Sequence, residues 1–243
     1  MHTRHILSGL LPLLFLAVAV NLSAQNWWKS GITGEGPSVK QALDVSDFDD
    51  FSLNISATVH VRQGRHDVQI EGQQNIIDNI ITEVSGGSWK IKYDRPVRRA
   101  NDVTIWITMP TLEGAHVSGS GSILGEGTFT GLDDVVVSIS GSGDIDMGLE
   151  SRNLSSSISG SGDIVVRGST GSHDIHISGS GDVEAFDMKA QDVDVHISGS
   201  GDVEVHAEGD LVINTSGSGD VVYTGRPRVK ARVSGSGDVS PRE

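Results

Sequence analysis

The chain has 243 residues, with 18 basic and 32 acidic side chains and a formal net charge of −14. So acidic a surface repels nucleic-acid phosphates, and no DNA or RNA partner is expected. There is no cysteine, which removes both disulfides and a lipid-acceptor thiol, so the fold relies on burial and backbone pairing.

Residues 1–24 read as a signal peptide. Arg4 and His5 precede an apolar run from Ile6 to Val20, and Leu22, Ser23 and Ala24 offer a small-residue cleavage site before Gln25. The competing reading is an uncleaved anchor, but the run of about 15 residues falls short of the roughly 20 that span a bilayer. The protein is therefore expected to be exported, to the periplasm, the outer cell surface or the medium. Residues 25–41, rich in Gly and Ser with one Pro, read as a flexible leader. Within it, Trp27 and Trp28 either stack on a partner or tether the leader to the folded body.

Residues 42–112 are β-rich without a visible repeat. Phe51–Arg62, Asp67–Glu71, Ser88–Tyr93 and Val103–Met109 have strand character, and alternation is plain in Val103, Ile105, Ile107 and Met109. Asn75–Val84 fits a short helix or another strand. Arg95, Arg98 and Arg99 read as a solvated loop.

Residues 113–240 are organised by seven copies of one turn, starting at Ser118, Ser140, Ser159, Ser178, Ser198, Ser216 and Ser234, at spacings of 22, 19, 19, 20, 18 and 18. Six of the seven read S-G-S-G-D followed by Ile or Val. Before each turn, alternate positions are mostly apolar, as in Val193, Val195 and Ile197. After each turn the first apolar position forms a column: Ile123, Ile145, Ile164, Val183, Val203, Val221 and Val239. Each coil thus reads as strand, glycine turn, strand, variable loop, with Arg167–Ser172 as one such loop. An antiparallel meander would also alternate strands and turns, but nothing in it requires every second turn to be identical. The expected fold is all-β, a parallel β-helix with about 19-residue coils and SGSGD corners, forming a single domain over residues 42–240.

With Gly34-x-Gly36, Phe48-x-x-Phe51, Val59-x-Val61-x-Gln63-Gly64, Val68-x-Ile70-x-Gly72, Pro110-x-Leu112 and the SGSGD turns, the chain resembles the head GIN domain family over about residues 34–240. That family is described as auto-transporter adhesins of the Gram-negative cell envelope. The resemblance implies a right-handed, pectin-lyase-like β-helix, no assigned catalytic site, and a role in adhesion. No segment resembling a translocator barrel follows Pro241, so transport by this polypeptide itself is not expected.

Three sets of residues are site candidates. Stacking the corners aligns Asp144, Asp163, Asp182, Asp202, Asp220 and Asp238 in a carboxylate ladder, to which calcium is the candidate cofactor. The simpler reading has each Asp accept backbone N–H bonds within its own corner. Outward positions place Asp174 and His176 beside Asp194 and His196, types that bind zinc or nickel but are also ordinary on a solvated sheet. His206 with Glu204 is a lesser pair of that kind. No catalytic or cofactor residue is assigned, since the loops are too short to wall a cleft. The functional expectation is a non-enzymatic cell-envelope protein whose elongated face contacts carbohydrate, another protein or itself, with self-association through an open end of the stack. A calcium-stabilised structural module and a glycan-active enzyme are the alternatives.

Overall fold

The computed structural model describes residues 31–242. The expected signal peptide (1–24), Trp27 and Trp28 lie outside the described residues. In chain order, β1 (Ile32–Thr33) and β2 (Ser38–Ala42) are followed by β3 (Asp50–Leu53), β4 (Thr58–Gln63) and β5 (Asp67–Gln73). A single-turn helix α1 (Gln74–Ile77) leads to β6 (Val84–Ser85), β7 (Ser88–Ile91), β8 (Val97–Arg99) and β9 (Thr104–Met109). The repeat region begins with β10 (Gly114–Gly119) and the long strands β11 (Ser122–Gly141), β12 (Asp144–Gly160), β13 (Asp163–Gly179) and β14 (Val183–Gly199). It ends with β15 (Val203–Ala207), β16 (Asp210–Gly217), β17 (Val221–Gly225), β18 (Arg228–Gly235) and β19 (Val239–Pro241).

Every pairing within the repeat region is parallel and equivalent residues sit in register, for example Ile158 with Ile177 and Ile177 with Ile197. This is a β-solenoid, not a meander. The expected variable loop is absent from the middle coils. Arg167–Ser172 continues the ladder with β12, pairing Gly168 with Leu149 and Ser172 with Asn153, while the pairings of β11 with β12 and of β13 with β14 shift register at the equivalent place. The two last coils break a second time, between β15 and β16 and between β17 and β18.

Two glycines per corner are needed for different reasons. Gly179 has a φ of 139°, which only glycine adopts without strain. Gly181 lies outside that region, but a Cβ there would overlap the carbonyl oxygen of Gly162 one coil below. Corners stacked at the spacing of hydrogen-bonded strands, about 4.8 Å, leave no volume for a side chain.

The inward columns build the core. One runs Ile91, Leu53, Val117, Ile139, Ile158, Ile177 and Ile197, all 2% exposed or less. Each such side chain contributes about 1.5–3 kcal/mol on burial. This column starts below the repeats: β3–β4 and β7–β9 are two further rungs in the same register, with Val59 and Ile105 continuing the column of Ile123. The stretch without visible repeat is therefore solenoid as well. Its rungs are stacked out of chain order, β3–β4 lying between β7–β9 and β10–β11. Asn54–Ala57 separates β3 from β4 and makes the corner where one strand over Phe51–Arg62 was expected.

One end is closed. β5 runs antiparallel to β9, β2 antiparallel to β5, and β6 antiparallel to β7. The leader expected to be flexible through Gln41 is ordered structure from Ile32 onward. Its first strand pairs with β8, which turns the expected Arg98–Arg99 loop into a short strand. Asn75 accepts from the N–H of Glu35 (3.0 Å) and donates to the carbonyl of Thr33 (2.8 Å), while Gln73 donates to Gly36 (2.9 Å). These local bonds replace the apolar content that the leader lacks. At the other end, among the described residues, β18 pairs only with β16, and β19 only with β17.

Candidate functional site

Outward side chains before the corner form a polar column in register: His116, Ser138, Ser157, His176, His196, Asn214 and Arg232. Beside it runs the ladder of first corner serines, Ser140, Ser159, Ser178 and Ser198. Between the two lies a groove of about 610 Å³ along the stack, floored by the backbone at Ile139, Ile158, Ile177 and Ile197, whose side chains are buried in the core. Such a volume suits a small or linear ligand. Each rung presents a hydroxyl, which both donates and accepts.

The sequence-predicted His–Asp pairs sit on this rim. Asp174 Oδ1 lies 3.2 Å from His176 Nδ1, Asp194 Oδ1 lies 3.3 Å from His196 Nδ1, and the two imidazoles are 4.9 Å apart. Asp194 Oδ1 and His196 Nδ1 are shielded from solvent without a well-formed hydrogen bond. Among the described residues no group of three or more His, Asp or Glu is disposed around a common point to hold a metal ion. His206 pairs with Glu208 (2.7 Å) instead of with Glu204.

The aspartate ladder makes bonds between corners where bonds within each corner were expected. Asp163 Oδ1 accepts the N–H of Asp182 (3.2 Å), Asp182 that of Asp202 (2.7 Å), Asp202 that of Asp220 (2.8 Å), and Asp220 that of Asp238 (2.7 Å). Asp144 stands apart, with Ser122 Oγ at 3.5 Å. Neighbouring carboxylates repel by about 1 kcal/mol in water. A hydrogen bond to a charged acceptor contributes about 1.5–3 kcal/mol. These bonds offset the repulsion between neighbouring carboxylates.

A constellation that no repeat alignment exposes lies below the groove. Ser138 Oγ is 2.6 Å from His116 Nδ1, and His116 Nε2 is 2.8 Å from Asp50 Oδ2. The hydrogen bond from His116 first, and a further one from Ser88, hold the Asp50 carboxyl below its usual value, although burial pushes it up. Types and contacts match a hydrolytic relay. However, Ser138 pairs on one side with His116 and on the other with Ser157, which commits the neighbouring backbone N–H groups to the ladder.

Near the capped end, Trp106 is the outward aromatic of β9, beside a cavity of about 290 Å³. The Lys40 ammonium lies 3.3 Å from its ring centroid, and His60 stacks parallel to it at 6.0 Å. The indole therefore already has partners, and a sugar would have to displace one of them to stack there.

The fold and this face define a capped parallel β-solenoid with a polar, grooved side. The chain belongs to the family described as "putative auto-transporter adhesin, head GIN domain", whose model matches residues 47–227. Among solved structures it is similar to a protein described as a "putative adhesin" from Bacteroides fragilis, at 25% identity and a TM-score of 0.82, over 87% of this chain and 100% of that one. It is similar also to a protein described as lipid binding from Parabacteroides distasonis, at 25% identity and 0.71, over 87% and 99%. A further protein described as a "putative adhesin", from Parabacteroides distasonis, shares the fold at 22% identity and 0.66, over 87% and 100%. No curated protein matches the sequence. The chain is adhesin-like.

Proposed function

We propose that this protein is a non-enzymatic, exported adhesin of the cell envelope that holds carbohydrate along the groove between its outward polar column and its serine ladder. The observation that carries this reading is the groove itself, about 610 Å³ and continuous over successive rungs, with hydroxyls repeated on one edge and His176 and His196 on the other. A repeated row of donors and acceptors suits a ligand that is itself a repeat of hydroxyl-bearing units. Export rests on the apolar run Ile6–Val20 with its small-residue site. The Asp174, His176, Asp194 and His196 cluster orients imidazoles toward the groove and needs no metal. A lipid reading has its own support in the likeness to a solved protein described as lipid binding.

The test is a glycan array probed with the chain from Gln25 and with a Ser159→Trp variant whose indole fills the groove. Retained glycans should lose at least about tenfold in affinity on filling, with the melting temperature unchanged because Ser159 is exposed. Binding indifferent to filling would remove the groove from the reading. Retention on phospholipid vesicles in place of glycans would replace carbohydrate with lipid.

A further inference from the structure

The rung that ends the solenoid differs from all others in two ways at once. Its inward residues are uncovered: Val229 is 38% exposed and Val233 42%, whereas Leu211 and Ile213 in the rung below are fully buried. All eight residues of β18 are exposed, and among the described residues no strand pairs with its outer edge. An unpaired edge of this length is a template for another strand.

The second difference is charge. The chain is acidic, yet five of the eight basic residues of 113–243 fall between Arg226 and Arg242. On β18 the outward positions are Arg228, Lys230 and Arg232. Arg228 is neutralised by a bidentate pair with Asp210 (2.8 and 2.7 Å). Among the described residues neither Lys230 nor Arg232 has a carboxylate at ion-pair distance. A cavity of about 230 Å³ lies against the strand, lined by Thr215, Arg232, Val233 and Ser234.

We infer that β18 accepts an extended segment of another protein in which carboxylate side chains alternate with small apolar ones. Main-chain bonds would extend the ladder, the apolar residues would cover Val229, Ala231 and Val233, and the carboxylates would lie beside Lys230 and Arg232. A second copy of this chain does not fit. Pairing β18 antiparallel with itself sets cations opposite cations, which destabilises a cross-strand pair. The free edge at the capped end, β2, has the sequence SVKQA and brings a lysine and no carboxylate. The neighbouring β19 is less open, since Pro241 has no N–H and the N–H of Arg242 already donates to the carbonyl of Tyr223 (2.8 Å).

The test uses the full chain and synthetic nine-residue peptides of alternating Glu and Val, or alternating Lys and Val, followed by fluorescence anisotropy. The Glu peptide should bind, more weakly as salt rises. Lys230→Glu combined with Arg232→Glu should reverse the preference, by at least about tenfold for each peptide, with unchanged melting because both side chains are exposed. N-methylation of alternate peptide residues should abolish binding if the contact is a strand ladder. Absence of binding, indifference to charge reversal, or retention of the N-methylated peptide would each overturn the inference. So would a dimer seen by light scattering that the Glu peptide dissociates, because the occupant would then be a second copy.

Discussion

His173 is the inward residue of its rung between Leu154 and Val193, 2% exposed, and its Nε2 lies 2.8 Å from Ser156 Oγ. Burial pushes its pKa down from 6.5 to about 3, because a charged imidazole cannot be solvated in the stack. The unfolded chain takes up a proton near the ordinary value, and the folded chain does not until far lower. The neutral-state stability is therefore complete above about pH 6.5 and is lost as pH falls toward 3, by about 1.4 kcal/mol per unit. Urea midpoints at pH 7.5 and 4.5 should show this slope, and His173→Val, which copies the next rung, should reduce it. An equal slope in both proteins would show that His173 is protonated inside the fold. Asp50 does not confuse the comparison, since its lowered carboxyl matters only below about pH 4.

At the scale of the coil, corner geometry can be divided into close approach and backbone conformation. Gly181→Ala meets the carbonyl oxygen of Gly162 at an ordinary φ, while Gly127→Ala, at a φ of 88°, meets nothing within 4 Å. Moving a whole coil to admit a methyl costs about 1–3 kcal/mol or more, and a left-handed alanine about 1–2 kcal/mol. Thermal melts should therefore place Gly181→Ala below Gly127→Ala, and the reverse order would show that stacking tolerates a Cβ. The columns were legible in the sequence because SGSGD marks the register, so that Ile158, Ile177 and Ile197 align on the page as they do in space. The rungs at β3–β4 and β7–β9 were not, because Asn54–Ala57 turns the corner without the glycine signature. The Ser138–His116–Asp50 relay was hidden for the same reason: one of its members comes from an unmarked rung 66 residues away from the next.

For the whole molecule, the decisive electrostatic feature is that acidity is spread along the stack and bonded to it. The Asp163-to-Asp238 staircase uses backbone N–H groups as its counter-charge, so neither EDTA nor added calcium should move the melting temperature by more than a degree or two. A large loss restored by calcium would make Asp144, Asp163, Asp182, Asp202, Asp220 and Asp238 a binding site. The staircase crosses from rung to rung, so each corner is held by the one below it. The order of the rungs has a different consequence. β3–β4, made first, is clasped between β7–β9 and β10–β11, which come later in the chain. As synthesis proceeds from the N-terminus, that first rung has no completed neighbour on either side until Met109 has emerged. Nucleation therefore requires closing the long excursion through β5, α1 and β7, and it is slow compared with growth, in which each coil closes a loop of about 19 residues onto a finished edge.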